Sequence, residues 1–307
     1  MYANVKKKEA PKKPLKISYW SKTKCYCPVC RRDFEKEEML TGSGRTNAGD
    51  LTDELHRLYI PTAKYGEVYP LIYAIGACPK CHLALFWSDF EAIKEDKKTL
   101  TALRDDDQTR RAQVETIFPH YNLKRERTLL DGAAMYYLAL LSYEKVDLGY
   151  SPTIKRAIIS IRLAWLCNHI NEKVPGRNYD FIAKNFYKKA LFFYEQTLAN
   201  ETSGVEAIGG IGSLGPDTDF NYGYDGIIYL NAILEYKYGQ TEDLALRFKK
   251  FGTNKRSIAR IFGIGKKSKE KPGPLLNVAR ELYEKLNKEL KDANSIEAEL
   301  EDEDEEA

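Results

Sequence analysis

The chain has 307 residues, a formal net charge of +3 and an ordinary soluble composition, 43% hydrophobic and 30% charged. That length suits one large domain or two unequal ones, and no apolar run approaches the roughly 20 residues that cross a bilayer. The charge is segregated: lysines crowd residues 6–24, and the last eleven residues, EAELEDEDEEA, are almost wholly acidic.

Such runs are usually solvated tails, so a basic disordered tail is predicted over 1–17 and an acidic one over 294–307. The N-terminus carries charge with no apolar core behind it, unlike a secretory signal. Together with thiols arranged for metal, this predicts a reducing, cytoplasmic setting.

Residues 18–88 contain two short motifs, Cys27-Pro28-Val29-Cys30 and Cys78-Pro79-Lys80-Cys81, about 50 residues apart. Two residues between cysteines let one tight turn present both sulfurs to the same ion, and proline presets the turn. Four thiolates at about 2.3 Å satisfy a tetrahedral zinc ion completely. The alternative is two redox pairs or unrelated thiols, but a thioredoxin-like site needs one pair beside a βαβ pattern. One structural zinc is therefore predicted, held by Cys27, Cys30, Cys78 and Cys81. Cys25 shares a strand face with Cys27 and is either a spare thiol or a substitute ligand. His82 follows Cys81 and reads as a neighbour of the site or a surface residue. Cys167, in an apolar helix, reads as a small core residue.

Between the motifs, Thr41–Gly44 and Asn47–Asp50 read as loop. Leu51, Leu55, Leu58 and Tyr59 have helical spacing, and Leu71–Ile75 reads as a strand leading into the second motif. A core this small needs its metal, whose binding contributes on the order of 10 kcal/mol to folding.

Residues 89–126 form a predicted helical connector, opened by a capping box at Ser88–Glu91 and interrupted near Arg104–Asp107. Residues 127–293 carry long apolar-aromatic helices: Thr128 to near Gly149, Ser151-Pro152 onward with proline in the first turn, Tyr179 to Asn200, and a last one through Leu275–Leu290. Ala183, Tyr187 and Ala190 follow the packing logic of a tetratricopeptide helix pair. A partial second match has Gly239 in the turn, Leu244 at the small-residue position and Phe248 at the aromatic one. The alternatives are a degenerate repeat stack and a generic helical bundle. The fold class is thus mostly α, with a small zinc-ribbon-like β module ahead of a tetratricopeptide-like or bundle domain.

The glycine-rich stretch 204–226 is a long loop of the kind usually functional or disordered. Neither it nor Gly263–Ser268 has the pattern of a phosphate-binding loop. Residues 247–271 are strongly basic, including Lys255 and Arg256, with Phe248, Phe251 and Phe262 interleaved. This tract is either a solvated face or a surface for nucleic acid or an acidic partner.

The two cysteine motifs, Arg45, Tyr59, Pro70-Leu71-Ile72-Tyr73, the His82-Leu83-Ala84 that follows Cys81, and the Tyr229–Phe248 segment together resemble an uncharacterised bacterial family. That family has an N-terminal zinc-ribbon-like module and tetratricopeptide-like helices, and the resemblance covers most of residues 18–250. The family's usual glycine after the last cysteine is His82 here. Because the family has no established activity, the resemblance implies architecture more than function.

The function expected is a non-enzymatic, zinc-stabilised scaffold for a protein partner, with no membrane and no small-molecule substrate. The alternative is nucleic-acid binding through the zinc module and the 247–271 tract, with affinity falling steeply with salt. An enzyme ranks third. The histidines His56, His82, His120 and His169 have no metalloprotease spacing, and neither a nucleophile elbow nor a dinucleotide fingerprint is present.

Overall fold

A computed structural model describes residues 14–262 and 272–305, with side chains through residue 293. Most of the basic tail, the 263–271 part of the basic tract and the side chains of the acidic end lie outside the described residues. The N-terminal part is built of short antiparallel pairs. β1 (Ser18–Trp20) pairs with β4 (Glu37–Met39) around the hairpin of β2 (Cys25–Cys27) and β3 (Arg32–Phe34). β5 (Ala48–Leu51) pairs with β6 (Arg57–Tyr59), and β7 (Ile75–Ala77) with β8 (Ala84–Phe86). Isolated two-stranded pairs are at best marginally stable in water, so packing and side-chain contacts must hold them.

Two expected elements differ here. The stretch with helical spacing from Leu51 to Tyr59 is the β5–β6 hairpin, because Leu55 takes a left-handed φ of 62° that no α-helix accepts. The expected strand at Leu71–Ile75 is mostly a 3-10 turn over Pro70–Tyr73, and only Ile75 enters β7. Proline at the turn's first position is pre-organised for it. The turn packs closely on the first long helix, where a Cβ added at Gly132 would lie 2.4 Å from Ile72 Cβ.

The polar connector is α1 (Asp89–Ala92), α2 (Lys97–Asp105) and α3 (Asp107–Ile117), with the predicted interruption falling at Asp106. The capping box at Ser88 does not form. Ser88 has helical dihedrals, and its hydroxyl donates to Asp89 instead. Asp89 itself is drawn into the core by Tyr143 and Lys155, each 2.5 Å away. A capping box does form at the start of α4 (Leu129–Tyr143), where Thr128 and Asp131 exchange side-chain-to-backbone bonds.

The body continues with α5 (Pro152–Lys173), α6 (Tyr179–Ser203), α7 (Gly223–Tyr238), α8 (Leu244–Ala259) and α9 (Gly273–Glu305). Each helix packs chiefly on its neighbour in sequence, and α9 also reaches α7. α9 runs past the boundary predicted at residue 293. No helix among the described residues is long and apolar enough to cross a membrane. Ala183, Tyr187 and Ala190 are buried as their spacing requires, but Leu244 is 58% exposed and so fills no seam between helices. Gly239 ends α7, where an added Cβ would come within 2.4 Å of the Glu235 carbonyl oxygen.

One core runs from Cys27 and Val29 through to Leu286, so the strands and helices pack as a continuous unit. Two buried charges cross the junction. The β5–β6 turn inserts Glu54, which accepts hydrogen bonds from Trp165 Nε1 (2.9 Å), Tyr187 (2.8 Å) and Tyr238 (3.3 Å), and from Lys237 at 3.0 Å. Those partners come from α5, α6 and α7. Just before α4, Arg127 donates to the Ile72 and Ile75 carbonyls (2.6 and 2.8 Å), while its own N–H donates to Glu37 of β4 at 3.0 Å.

Removing one member of such a network strands the rest, so Glu54→Leu is expected to lose roughly 3–5 kcal/mol in urea unfolding. Glu38→Ala, in a surface pair with Lys36, should cost about 1 kcal/mol or less. Equal effects would refute the role given to Glu54.

Burial by itself would raise the Asp131 carboxyl, but bonds from Arg125, Thr128 and two backbone N–H groups prevail and hold it below its ordinary value. A depressed folded-state value means its stabilisation is complete above the unfolded value and is lost as pH falls through the lower folded one. Asp131→Asn should therefore be less stable at neutral pH and lose less further stability below about pH 4 than the wild type. A wild-type acid profile unchanged by the substitution would contradict this.

Candidate metal centre

The tips of the β2–β3 and β7–β8 hairpins carry the two cysteine motifs. In the first, Arg31 N–H donates to the Cys27 carbonyl at 2.8 Å; in the second, His82 N–H donates to the Cys78 carbonyl at 2.9 Å. Arg31 and His82 hold equivalent positions, with left-handed φ values of 57° and 55°. Glycine takes that conformation without cost, whereas other residues give up roughly 1–2 kcal/mol. His82 thus builds the same turn as Arg31 without a glycine.

The two tips meet. Cys27 Sγ lies 3.5 Å from Cys81 Sγ, Cys30 Sγ lies 3.6 Å from Cys78 Sγ, and all four sulfurs fall within 4.8 Å of one another. A tetrahedron with bonds of about 2.3 Å has edges of about 3.8 Å. A disulfide needs about 2.05 Å, and all six cysteines are free thiols. The quartet can hold a metal ion, and its donors are compatible with zinc.

The electrostatics point the same way. Contact with the Cys78 and Cys81 thiols, together with burial, pushes the Cys27 thiol far up. Hydrogen bonds from Cys27 and Cys81 pull Cys78 down. One thiolate is solvated by its neighbours' protons, and four cannot coexist here unaided. A divalent cation bound here would replace those protons and release them.

α3 closes over the second tip. Arg110, fully buried, donates to the Cys81 carbonyl at 3.2 Å and pairs with Asp106, also at 3.2 Å. Arg111 donates to the Lys80 carbonyl and pairs with Asp107 at 2.9 Å. Sequence reasoning passed over these arginines because their i,i+4 partners read as a solvated helix face.

Cys25 stays outside the quartet, its thiol 3.8 Å from the Tyr26 carbonyl and pushed by burial up to about 11. Cys167 is buried in α5, as expected. His82 sits edge-on to Tyr121 with its Nδ1 unpartnered, and burial lowers its pKa to about 4. In the basic tract, Arg247 donates to the Gln240 and Tyr236 carbonyls, Lys250 pairs with Glu195 and Glu235, Lys255 bonds Asn287, and Phe251 is buried. Arg247, Lys250 and Lys255 are thus bonded within the chain, whereas Lys249, Arg256 and Arg260 are exposed.

The chain matches, over residues 20–286, the model of a family described as "Uncharacterized protein conserved in bacteria (DUF2225)", and it belongs to that family. A protein of Borreliella burgdorferi, itself described as an uncharacterized protein, is 43% identical over 277 residues. The match covers 90% of this chain and 98% of that protein. No solved structure matches the chain.

Cys78→Ser is expected to lose one equivalent of bound metal per chain relative to wild type, read by elemental analysis after gel filtration. Cys25→Ser and Cys167→Ser should keep it. Unchanged metal in the Cys78 variant would exclude the quartet as the site.

Proposed function

We propose that this protein is a non-enzymatic interaction scaffold, stabilised by one structural zinc ion and offering its helices to a protein partner. The observation that carries the reading is the convergence of four thiols from two distant hairpin tips. Four protein ligands leave no coordination position for water or substrate, which distinguishes a structural from a catalytic zinc. A compact all-sulfur set also favours zinc over magnesium or calcium, which prefer oxygen. Cys27, Cys30, Cys78 and Cys81 are the ligands, in a zinc-ribbon-like module. The ion supplies cohesion and no chemical step. The doubly negative charge of zinc with four thiolates is offset by Arg110 and Arg111 beside the second tip.

The helical part is read as tetratricopeptide-like, supported by helices that each pack on their sequence neighbours, as in stacked repeat pairs. A groove of about 360 Å³ between α6, α7 and α8 is lined by Glu195, Leu198, Asn231, Leu246, Lys249 and Lys250. The side-chain oxygen of Asn231 is buried there without a hydrogen-bond partner. An extended acidic segment suits this surface, offering carboxylates to the exposed Lys249. Nucleic-acid binding through the zinc module and the 247–271 tract is the alternative, and the inward bonding of Arg247, Lys250 and Lys255 counts against it.

Two outcomes test the reading. Chelation should strip one zinc and unfold the N-terminal strands, whereas pure, folded, metal-free protein in chelator would contradict it. The paired substitutions Leu246→Asp and Lys249→Glu, both on exposed positions, should weaken a partner isolated from native cells at least about ten-fold, since each 1.4 kcal/mol is a factor of ten. Undiminished binding by this folded variant would exclude the groove.

A further inference from the structure

A cavity of about 710 Å³ lies between β8, the start of α1, α5 and the glycine-rich loop. Sites for small organic ligands measure about 300–1,000 Å³. The cavity shares no lining residue with the cysteine quartet or with the groove on α6, α7 and α8. One wall is a face of α5, where Lys155, Ile158 and Arg162 follow one another at helical spacing. The helical rise places Lys155 and Arg162 about 10 Å apart along the axis. Ile158 lies between them, and Phe86 and Ile211 add to the apolar lining.

The glycine-rich loop is fastened to α5 at two places. Ser151 donates to the Ala207 carbonyl at 2.6 Å, and Glu206 accepts the Thr153 N–H at 2.7 Å. Farther on, Arg162 donates to the Pro216 carbonyl at 2.5 Å and to the Asp217 carbonyl at 3.3 Å. Between these anchors, Gly210 to Ser213 line the cavity.

The charges around the cavity are unequally answered. Lys155 pairs with Asp89 at 2.5 Å, and that carboxylate also accepts from Tyr143 and Ser88. The Asp217 carboxylate accepts from His56 Nδ1 at 2.5 Å, from the Arg57 N–H at 2.9 Å and from the Thr218 N–H at 2.6 Å. His56 in turn shares a hydrogen bond with His169 of α5, their Nε2 atoms 3.1 Å apart. Asp217 feels the Arg162 charge, but its carboxylate bonds to these other groups.

Arg162 is different. Its guanidinium is buried, and its bonds go to uncharged oxygens: the two loop carbonyls and the Tyr136 hydroxyl at 3.1 Å. A guanidinium has five N–H donors. These bonds use one on each nitrogen, which leaves one further donor on each terminal nitrogen. A buried charge is costly unless it is paired and hydrogen-bonded. An oxyanion at those two donors supplies both the opposite charge and the acceptors, and arginine binds carboxylate and phosphate through paired bonds of this kind.

We propose that this cavity binds a small amphipathic organic anion. Its carboxylate or phosphate head rests on Arg162, and its apolar body lies along Ile158, Phe86 and Ile211 toward Lys155. Because Arg162 also holds the Pro216 and Asp217 carbonyls, the head group sits on the residue that fastens the loop. This site goes beyond the scaffold reading and does not depend on the metal.

The test is calorimetric titration of the full chain with octanoate, octyl phosphate and octylammonium, which share an apolar body and differ in the head. At least one of the two anions should bind at one equivalent, and the tighter of them names the head group. Octylammonium should bind at least about ten-fold more weakly. Arg162→Gln should weaken the anion at least about ten-fold, the scale of a lost charged hydrogen bond. Should that variant fail to fold, hydrogen exchange of wild type decides: the anion should slow exchange at Gly210–Ser213 and leave α8 unchanged. Failure of both anions to bind, octylammonium binding as tightly, undiminished binding by folded Arg162→Gln, or no protection of the loop would each overturn the proposal.

Discussion

Four sulfur atoms in mutual contact, contributed by turns about 50 residues apart, are the constraint on which the N-terminal half depends. Thiols so placed cannot all ionise unaided, because like charges a few ångströms apart repel. Their packing becomes favourable when a cation takes the protons' place. The strands leading to them are three residues long and cannot hold the tips together by backbone pairing alone. The ion proposed there would join β2–β3 to β7–β8. Through the Arg110 and Arg111 bonds to the second tip, it would also fix α3 against both.

A second device operates where strands meet long helices. Glu54 and Arg127 are charges taken out of water, each met by several hydrogen-bonding partners from the other side of the junction. Replacing such groups by apolar ones often costs little if all partners change together, so their value lies in specifying one arrangement. Glu54 reads three helices at once through Trp165, Tyr187 and Lys237. The same hairpin that delivers Glu54 delivers His56, so docking of the module and assembly of the histidine cluster are one event. This is why the strands and helices share a core and do not behave as beads on a linker.

The cysteine tips and the long helices were legible because their signals are local. Cys-x-x-Cys needs only one turn, and the α5 and α6 patterns repeat every three or four residues over more than five turns. Ser151-Pro152 and Tyr179 marked helix starts within a residue. What escaped was decided over long range. Leu51, Leu55 and Leu58 imitate a helix, and only the left-handed Leu55 and the partners of Glu54 reveal a hairpin. Ser88 and Glu91 imitate a cap that Tyr143 and Lys155 dismantle by capturing Asp89. His56, His169 and Asp217 are separated by 113 and 161 positions from His56, with no common spacing. Nothing in the linear order announces that the glycine-rich loop brings Asp217 to His56.

The most direct test of the central claim is zinc-edge X-ray absorption on protein carrying its single most tightly held metal equivalent. The account predicts a first shell of four sulfur atoms at about 2.3 Å with no oxygen or nitrogen. A shell containing light-atom ligands, or protein whose Cys27, Cys30, Cys78 and Cys81 are paired in disulfides with no metal bound, would contradict it.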